Sequence, residues 1–203
     1  MQENRRTARA LSFVTVGYNI LEGLVSVVFA ILAGSSALLG FGIDSFVESL
    51  SGIVMVWRFT RTTHLTPDAA EQRERLAIRL VGASLLILGG YVIYEAATTL
   101  YYGESPTRSP AGLIIAIVSL VAMPILYVLK RRTAAAIHSR SLAADAKQTL
   151  ACVMLSVALL AGSGLHYFMG LWQADPIAGL LIAGYLIREG HRAWTEQDLC
   201  CIR

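Results

Sequence analysis

Long apolar runs alternate with short clusters of charge along the whole of this chain. The runs occupy residues 11–33, 36–58, 78–101, 111–130, 141–166 and 174–193. A helix needs about 20 mostly apolar residues to cross the hydrocarbon core of a bilayer. The pattern therefore predicts an all-α polytopic membrane protein with six transmembrane helices. They form a single six-helix domain over residues 1–203, and the short connections leave no room for a separate soluble domain.

Local signals sharpen the boundaries. Thr66-Pro67-Asp68 places a hydroxyl N-cap, a proline at the first helical position and an acid in the first turn. Glu71 and Arg75 follow at i,i+4, so the third helix should begin as an exposed segment before it enters the membrane. Ser105-Pro106 and Ser109-Pro110 mark a loop before the fourth run, and Asp175-Pro176 marks the start of the sixth. Pro124 falls inside the fourth run and should kink it.

Composition agrees with the pattern. Hydrophobic residues make up 55% of the chain and charged residues 15%, with a mean hydropathy of +0.58; a soluble domain carries about 25% charge. The basic residues lie almost all on one side. Arg5, Arg6, Arg9, Arg58, Arg61, Arg73, Arg75, Arg79, Lys130, Arg131, Arg132, Arg140, Arg188, Arg192 and Arg203 fall at alternate boundaries, and Arg108 stands on the other side. By the positive-inside rule both termini face the cytoplasm, as an even number of spans requires, which suits a multi-pass protein of the inner cell membrane. The net charge of +3 is this asymmetry, not a nucleic-acid footprint. The first run is too long for a signal peptide and carries Asn19 and Glu22.

Polar residues inside the runs form stripes at helical spacing. Ser12, Thr15, Asn19, Glu22 and Ser26 share one face of the first run, and Asp44, Glu48 and Ser51 share one face of the second. Ser84, Tyr91, Glu95 and Thr99 mark the third, and Ser141, Asp145, Gln148, Thr149, Cys152 and Ser156 form a long stripe on the fifth. Such stripes should face a shared interior, since lipid would leave them unsatisfied. Most of the hydroxyls read as helix–helix contacts, Gln148 alone as an interhelical hydrogen bond, and Cys152 alone as a small buried apolar residue.

The acids carry more. Glu22, Asp44, Glu48, Glu95 and Asp145 lie within the runs against Lys147, which sits about 200° around the helix from Asp145 and can snorkel to the surface. An ionised side chain at the bilayer centre costs about 3 kcal/mol or more unless it finds a partner or an ion. Asp44 and Glu48, four residues apart, project from one face and call for a cation. They offer oxygen and Cys152 offers thiolate, with Asp145 and Gln148 on the same face as candidate fourth ligands. Mixed oxygen and sulfur donors suit Zn²⁺ or Cd²⁺ better than Mg²⁺ or Ca²⁺. Ligands shed protons to bind metal, which is the basis for exchanging one for the other. Cys200 and Cys201, with His191 and Asp198 upstream, could bind a soft metal loosely, carry a lipid or be an inert tail.

Three segments, SSALLGFGIDSFVES, HSRSLAADAKQTLACV and WQADPIAGLLIAGYLI, resemble the transmembrane domain of the cation diffusion facilitator family. The resemblance spans essentially all six runs. It implies a homodimer that exports Zn²⁺ or a related divalent ion from the cytoplasm against protons, by alternating access, through a site between the second and fifth helices. Asp44 and Glu48 occupy the second-helix places. Gln148 and Cys152 occupy the fifth-helix places, where His or Asp and then Asp would be usual, and Asp145 one turn earlier can supply the missing acid. The chain resembles a short branch without the family's C-terminal cytoplasmic domain. A dimer would then use the spans, where Gly112/Ala116 and Gly179/Ala183 offer small-residue contacts.

The expected function is thus a divalent metal exporter and not an enzyme, with no tightly bound cofactor. The transported ion, protons, lipid and a second copy are its partners. A non-transporting zinc-binding membrane subunit and a proton-coupled exporter of organic cations are the alternatives.

Overall fold

A computed structural model describes residues 2–33, 36–60, 66–103, 110–169 and 173–195. Among them the chain forms six helices: α1 (Gln2–Ala33), α2 (Ser36–Phe59), α3 (Pro67–Tyr102), α4 (Pro110–Ile137), α5 (Arg140–Met169) and α6 (Ala174–Thr195). Each predicted run is thereby a helix. The Ser105-Pro106 turn, Arg61, Arg108 and the Cys200-Cys201 tail lie outside the described residues.

The helices are longer than the apolar runs at one end of the bundle. α1 begins well before residue 11 and α3 begins at Pro67. With 36 residues α3 is about 54 Å long, whereas the hydrocarbon core is about 30 Å thick. Hydropathy locates the buried stretch of such a helix and is blind to the turns that continue into water. As anticipated, Thr66 accepts a hydrogen bond from the Ala69 N–H at 3.4 Å and Arg75 pairs with Glu71 at 2.7 Å. The other end of α3 closes on Gly103, whose φ of 65° is left-handed and whose N–H bonds Thr99 O at 3.0 Å. α6 begins at Ala174, slightly earlier than the Asp175-Pro176 signal, with Ile177 N bonding Gln173 O.

α1 packs most extensively on α2, α3 on α6 and α4 on α5, and α5 also touches α2, α3 and α6. α5 is therefore the central helix. Gly23 and Gly42 bring α1 and α2 into close approach: a Cβ on either would come 3.1 Å from the other's carbonyl oxygen. The small residues of α6 serve α3 in the same way. Ala183 is fully buried, and its carbonyl lies against Gly89. This corrects one expectation, because that stripe is consumed within the chain and offers no dimer seam. Ala116 is likewise buried.

Large apolar side chains cover the outside. Phe13, Leu21, Val28 and Leu32 of α1 and Ile114, Val121, Ile125 and Val128 of α4 are exposed, as a lipid-facing surface requires. Among the described residues four helices, α1 to α4, are by themselves long and apolar enough to span a membrane. α5 carries Asp145, Lys147 and Gln148 in its first turns, which lowers its hydropathy but suits its central place.

One end of the bundle is basic, and it is closed by a staple. Glu74 of α3 takes Arg58 Nε at 2.7 Å from α2, Ser141 N at 2.8 Å, and the Ser139 and Ser141 hydroxyls at 3.0 Å each from the α4–α5 junction. His138, with a φ of 51°, turns the chain there. Arg5, Glu71, Arg75 and Arg140 join Arg58, Glu74, His138 and Ser139 around a cavity of about 400 Å³.

Candidate functional site

The polar stripes of α1, α2 and α5 turn inward, whereas on α3 Ser84 is buried and Tyr91, Glu95 and Thr99 are half-buried. Ser12, Thr15, Asn19, Ser26, Glu48, Ser51, Ser141, Asp145, Gln148, Thr149 and Ser156 have no exposed surface, and Glu22, Asp44 and Cys152 are buried. Against the packing of α1, α2 and α5 they make a polar seam through an otherwise apolar bundle.

Two groups of side chains divide this seam. In the first, charged groups and hydroxyls contact one another. Lys130 of α4 lies 2.8 Å from Asp145 Oδ2 and donates to Thr149 Oγ1 at 2.8 Å. Thr149 donates to Glu48 Oε1 at 2.7 Å, and Ser51 donates to Asp145 Oδ1 at 2.6 Å. The chain of contacts thus runs Ser51–Asp145–Lys130–Thr149–Glu48, with α2, α4 and α5 all contributing. Asp145 Oδ2 meets the Lys130 ammonium as an ion pair without hydrogen-bond geometry, and Glu48 Oε2 has no hydrogen bond.

In the second group the acceptors are bare. Both Asp44 oxygens are buried without a hydrogen bond, as is Glu48 Oε2. Cys152 lies beside both carboxylates, and its thiol is free. The same side chain also packs on Met123 and Leu126 of α4, so its apolar and ligand-like surroundings coexist. On α1, Asn19 is fully buried with neither Oδ1 nor Nδ2 paired. The antiparallel register that sets Gly23 against Gly42 and Val16 against Gly52 puts Asn19 at the level of Glu48. A buried, unsatisfied acceptor carries a penalty of about 1–3 kcal/mol, larger when charged. Several such acceptors lie in this one part of the seam.

Neighbouring acids flank the pair. Glu22 accepts from Tyr18 OH and from Ser45 Oγ, both at 2.9 Å, which ties α1 to α2 beside Asp44. On the other side the Glu95 carboxylate of α3 rests on Gly40, one turn from Asp44 along α2; a Cβ at Gly40 would come 2.7 Å from Glu95 Cδ. Asp44 feels the charge of Glu48, Glu22 and Glu95 together.

The predicted ligands therefore fare differently. Asp44, Glu48 and Cys152 are neighbours in the seam, without closing around one point. Asp145 is committed to Lys130 and Ser51, and the Gln148 amide to Ser84 Oγ at 2.9 Å and Val47 O at 3.4 Å. Among the described residues, no three His, Cys, Asp or Glu side chains converge closely enough to hold a metal ion as they stand.

Lys130 is the residue that sequence reasoning misplaced. Beside Arg131 and Arg132 it reads as loop charge, yet α4 runs on to Ile137 and Lys130 is fully buried. The signal was there: Ala116, Ser119, Met123, Leu126, Lys130 and Ala134 are all buried at helical spacing along one face. Lys147, expected to be the lone intramembrane base or to snorkel, pairs instead with Glu189 of α6.

A six-helix bundle with buried acids on its second and fifth helices defines a class, and comparison agrees with it. Residues 12–195 match the cation efflux transmembrane domain, and the chain belongs to that family. It is 19% identical over 190 residues to Transmembrane protein 163 of Xenopus laevis, covering 93% of this chain and 66% of that protein. It is 25% identical over 192 residues to a cadmium, cobalt and zinc/H(+)-K(+) antiporter of Bacillus subtilis, covering 92% of this chain and 60% of that one. An uncharacterized transporter of Methanocaldococcus jannaschii is 26% identical over 183 residues, covering 88% of this chain and 64% of its own length. The chain thus spans somewhat under two thirds of the length of these curated relatives.

Proposed function

We propose that this chain moves a divalent transition-metal ion, Zn²⁺ or a Cd²⁺- or Co²⁺-like ion, out of the cytoplasm. The observation that carries the reading is the set of bare oxygens: both of Asp44 and Oε2 of Glu48, buried one helical turn apart. Cys152 supplies sulfur, and a donor set of carboxylates with a thiolate favours Zn²⁺ and Cd²⁺. The name of the Bacillus subtilis relative, which gives cadmium, cobalt and zinc, supports the same ions. Asp145 and Gln148 are candidate further ligands that join by giving up Lys130 and Ser84. Asn19 adds an amide oxygen at the same level.

The cycle is electrostatic. With the basic end of the bundle toward the cytoplasm, deprotonated Asp44 and Glu48 draw the ion inward, and Cys152 loses its proton to bind it. Rearrangement of the helices opens the opposite side, and protons arriving there displace the ion. Glu95, seated on Gly40 toward that end, offers the next carboxylate on the way out. The working unit is a homodimer in the inner membrane, with both termini cytoplasmic.

Zn²⁺ flux into proteoliposomes tests the reading. Asp44→Ala and Glu48→Ala should each abolish it while the protein stays folded and monodisperse. Normal flux in either variant contradicts the assignment. Zn²⁺ binding without flux in the wild type would instead mark a metal-binding membrane subunit.

A further inference from the structure

The ion pair between Lys130 and Asp145 places a positive charge inside the acidic seam. Both residues have no exposed surface, and Lys130 is the largest fully buried side chain among the described residues. Its ammonium contacts an acid on α5 directly and reaches an acid on α2 through one hydroxyl, that of Thr149. It thus holds the positions that a bound monovalent cation would hold. We infer that Lys130 is a tethered cation that occupies part of the acid site and competes with the transported ion for it; this rests on the reading of Asp44, Glu48 and Cys152 given above.

Three features carry the inference. First, the acceptors are partitioned. Asp145 Oδ1 and Glu48 Oε1 accept hydrogen bonds and Asp145 Oδ2 is met by the ammonium as an ion pair, while Asp44 Oδ1 and Oδ2 and Glu48 Oε2 have neither. Second, the depths differ. Lys130 lies about 10 Å and Asp145 about 8 Å from their helix ends at the basic side, against about 22 Å for Asp44, taking 1.5 Å per residue. The lysine therefore sits between the bare acids and the end where the arginines gather. Third, its four-carbon stem allows the ammonium to swing toward that end and rejoin water while still charged. No such freedom exists for the acids it leaves behind.

The consequence concerns affinity and release. A divalent ion on Glu48 lies one hydroxyl from the ammonium, and like charges at that range in a poorly screened interior repel strongly. Entry of the ion expels Lys130 from Asp145 and frees that carboxylate as a further ligand. Return of the lysine pushes the ion off. The lysine thereby keeps the site from binding its ion too tightly to let go.

The test is Zn²⁺ binding to the full chain in detergent micelles, read by isothermal titration. Lys130→Met keeps the length of the side chain and removes its charge; it should lower the Kd for Zn²⁺ tenfold or more. It should also slow Zn²⁺ release in stopped-flow chelation. Unchanged or weaker binding overturns the inference, because a lysine with a merely structural role has no means of tightening the site. Should Lys130→Met fail to fold, Lys130→Met/Asp145→Asn leaves no unpaired charge, and it should bind more tightly than Asp145→Asn alone. Equal binding of those two overturns the inference as well. Asp44→Ala is the control that separates the two readings. If it leaves wild-type binding intact, the metal site itself is misassigned. If it abolishes binding while Lys130→Met changes nothing, only the role of the lysine falls.

Discussion

Lys130 and Asp145, from α4 and α5, face each other at 2.8 Å with neither side chain exposed to solvent. Removing one partner of such a pair strands the other charge, at about 3–5 kcal/mol. Asp145→Asn should therefore destabilise the bundle by about that much, and Lys130→Met/Asp145→Asn should recover most of it. Thermal unfolding in detergent, followed by circular dichroism, gives the comparison. A double variant no more stable than Asp145→Asn would show that packing, not charge, dominates at this position.

Thr149 bridges the lysine to Glu48, accepting from one and donating to the other. Thr149→Val preserves the shape and deletes both bonds, leaving buried groups unsatisfied at about 1–3 kcal/mol. Thr149→Ser keeps the hydroxyl and should stay close to wild type. Equal melting temperatures for the Val and Ser variants would show that the bridge contributes little.

Asn19 presents the opposite case, a fully buried amide with no partner. Asn19→Leu replaces it with an apolar group of similar size, which should leave the protein as stable or more so. Zn²⁺ affinity should fall, because an oxygen at the level of Glu48 is lost. A gain in stability with unchanged affinity would make Asn19 a packing feature alone.

The Glu95 carboxylate occupies the space a side chain at Gly40 would need. Gly40→Ala should cost stability in the wild type and much less in a Glu95→Ala background. For residues in contact the two effects should differ by at least about 0.5 kcal/mol. Additive effects would mean that the carboxylate moves aside freely.

At the basic end, Glu74 gathers Arg58, Ser139 and Ser141 into one contact. Glu74→Ala should raise amide hydrogen exchange over residues 139–142 and leave exchange in the middle of α5 unchanged. Exchange as slow as in the wild type would show that the junction is held by other contacts.

Much of this arrangement was legible in the amino-acid order. Hydropathy located six helices because each must bury about 20 residues in lipid. Helical spacing found the inward stripes, since Ser12 through Ser26 and Ser141 through Ser156 repeat every three or four residues. The Thr66 cap and the Glu71–Arg75 pair are local and followed from neighbours in the chain. What could not be read were contacts between helices. That Gln148 bonds Ser84, or that Thr149 meets Glu48, depends on the register of one helix against another. Lys130 was hidden by the company it keeps, for a charge next to Arg131 and Arg132 looks like the end of a span. The Gly179/Ala183 pair had two possible uses, within a chain or between chains, and spacing cannot choose between them.

Asp44 stands at the centre of the account as a buried carboxylate whose two oxygens have no hydrogen bond. Equilibrium dialysis of Zn²⁺ against the wild type and Asp44→Asn, which keeps the shape and removes the charge, addresses it most directly. Wild type should bind the ion saturably inside the bundle, and Asp44→Asn should lose that binding by a hundredfold or more while remaining folded. Zn²⁺ binding of equal affinity and stoichiometry in both proteins would contradict the assignment of Asp44 to the cation site.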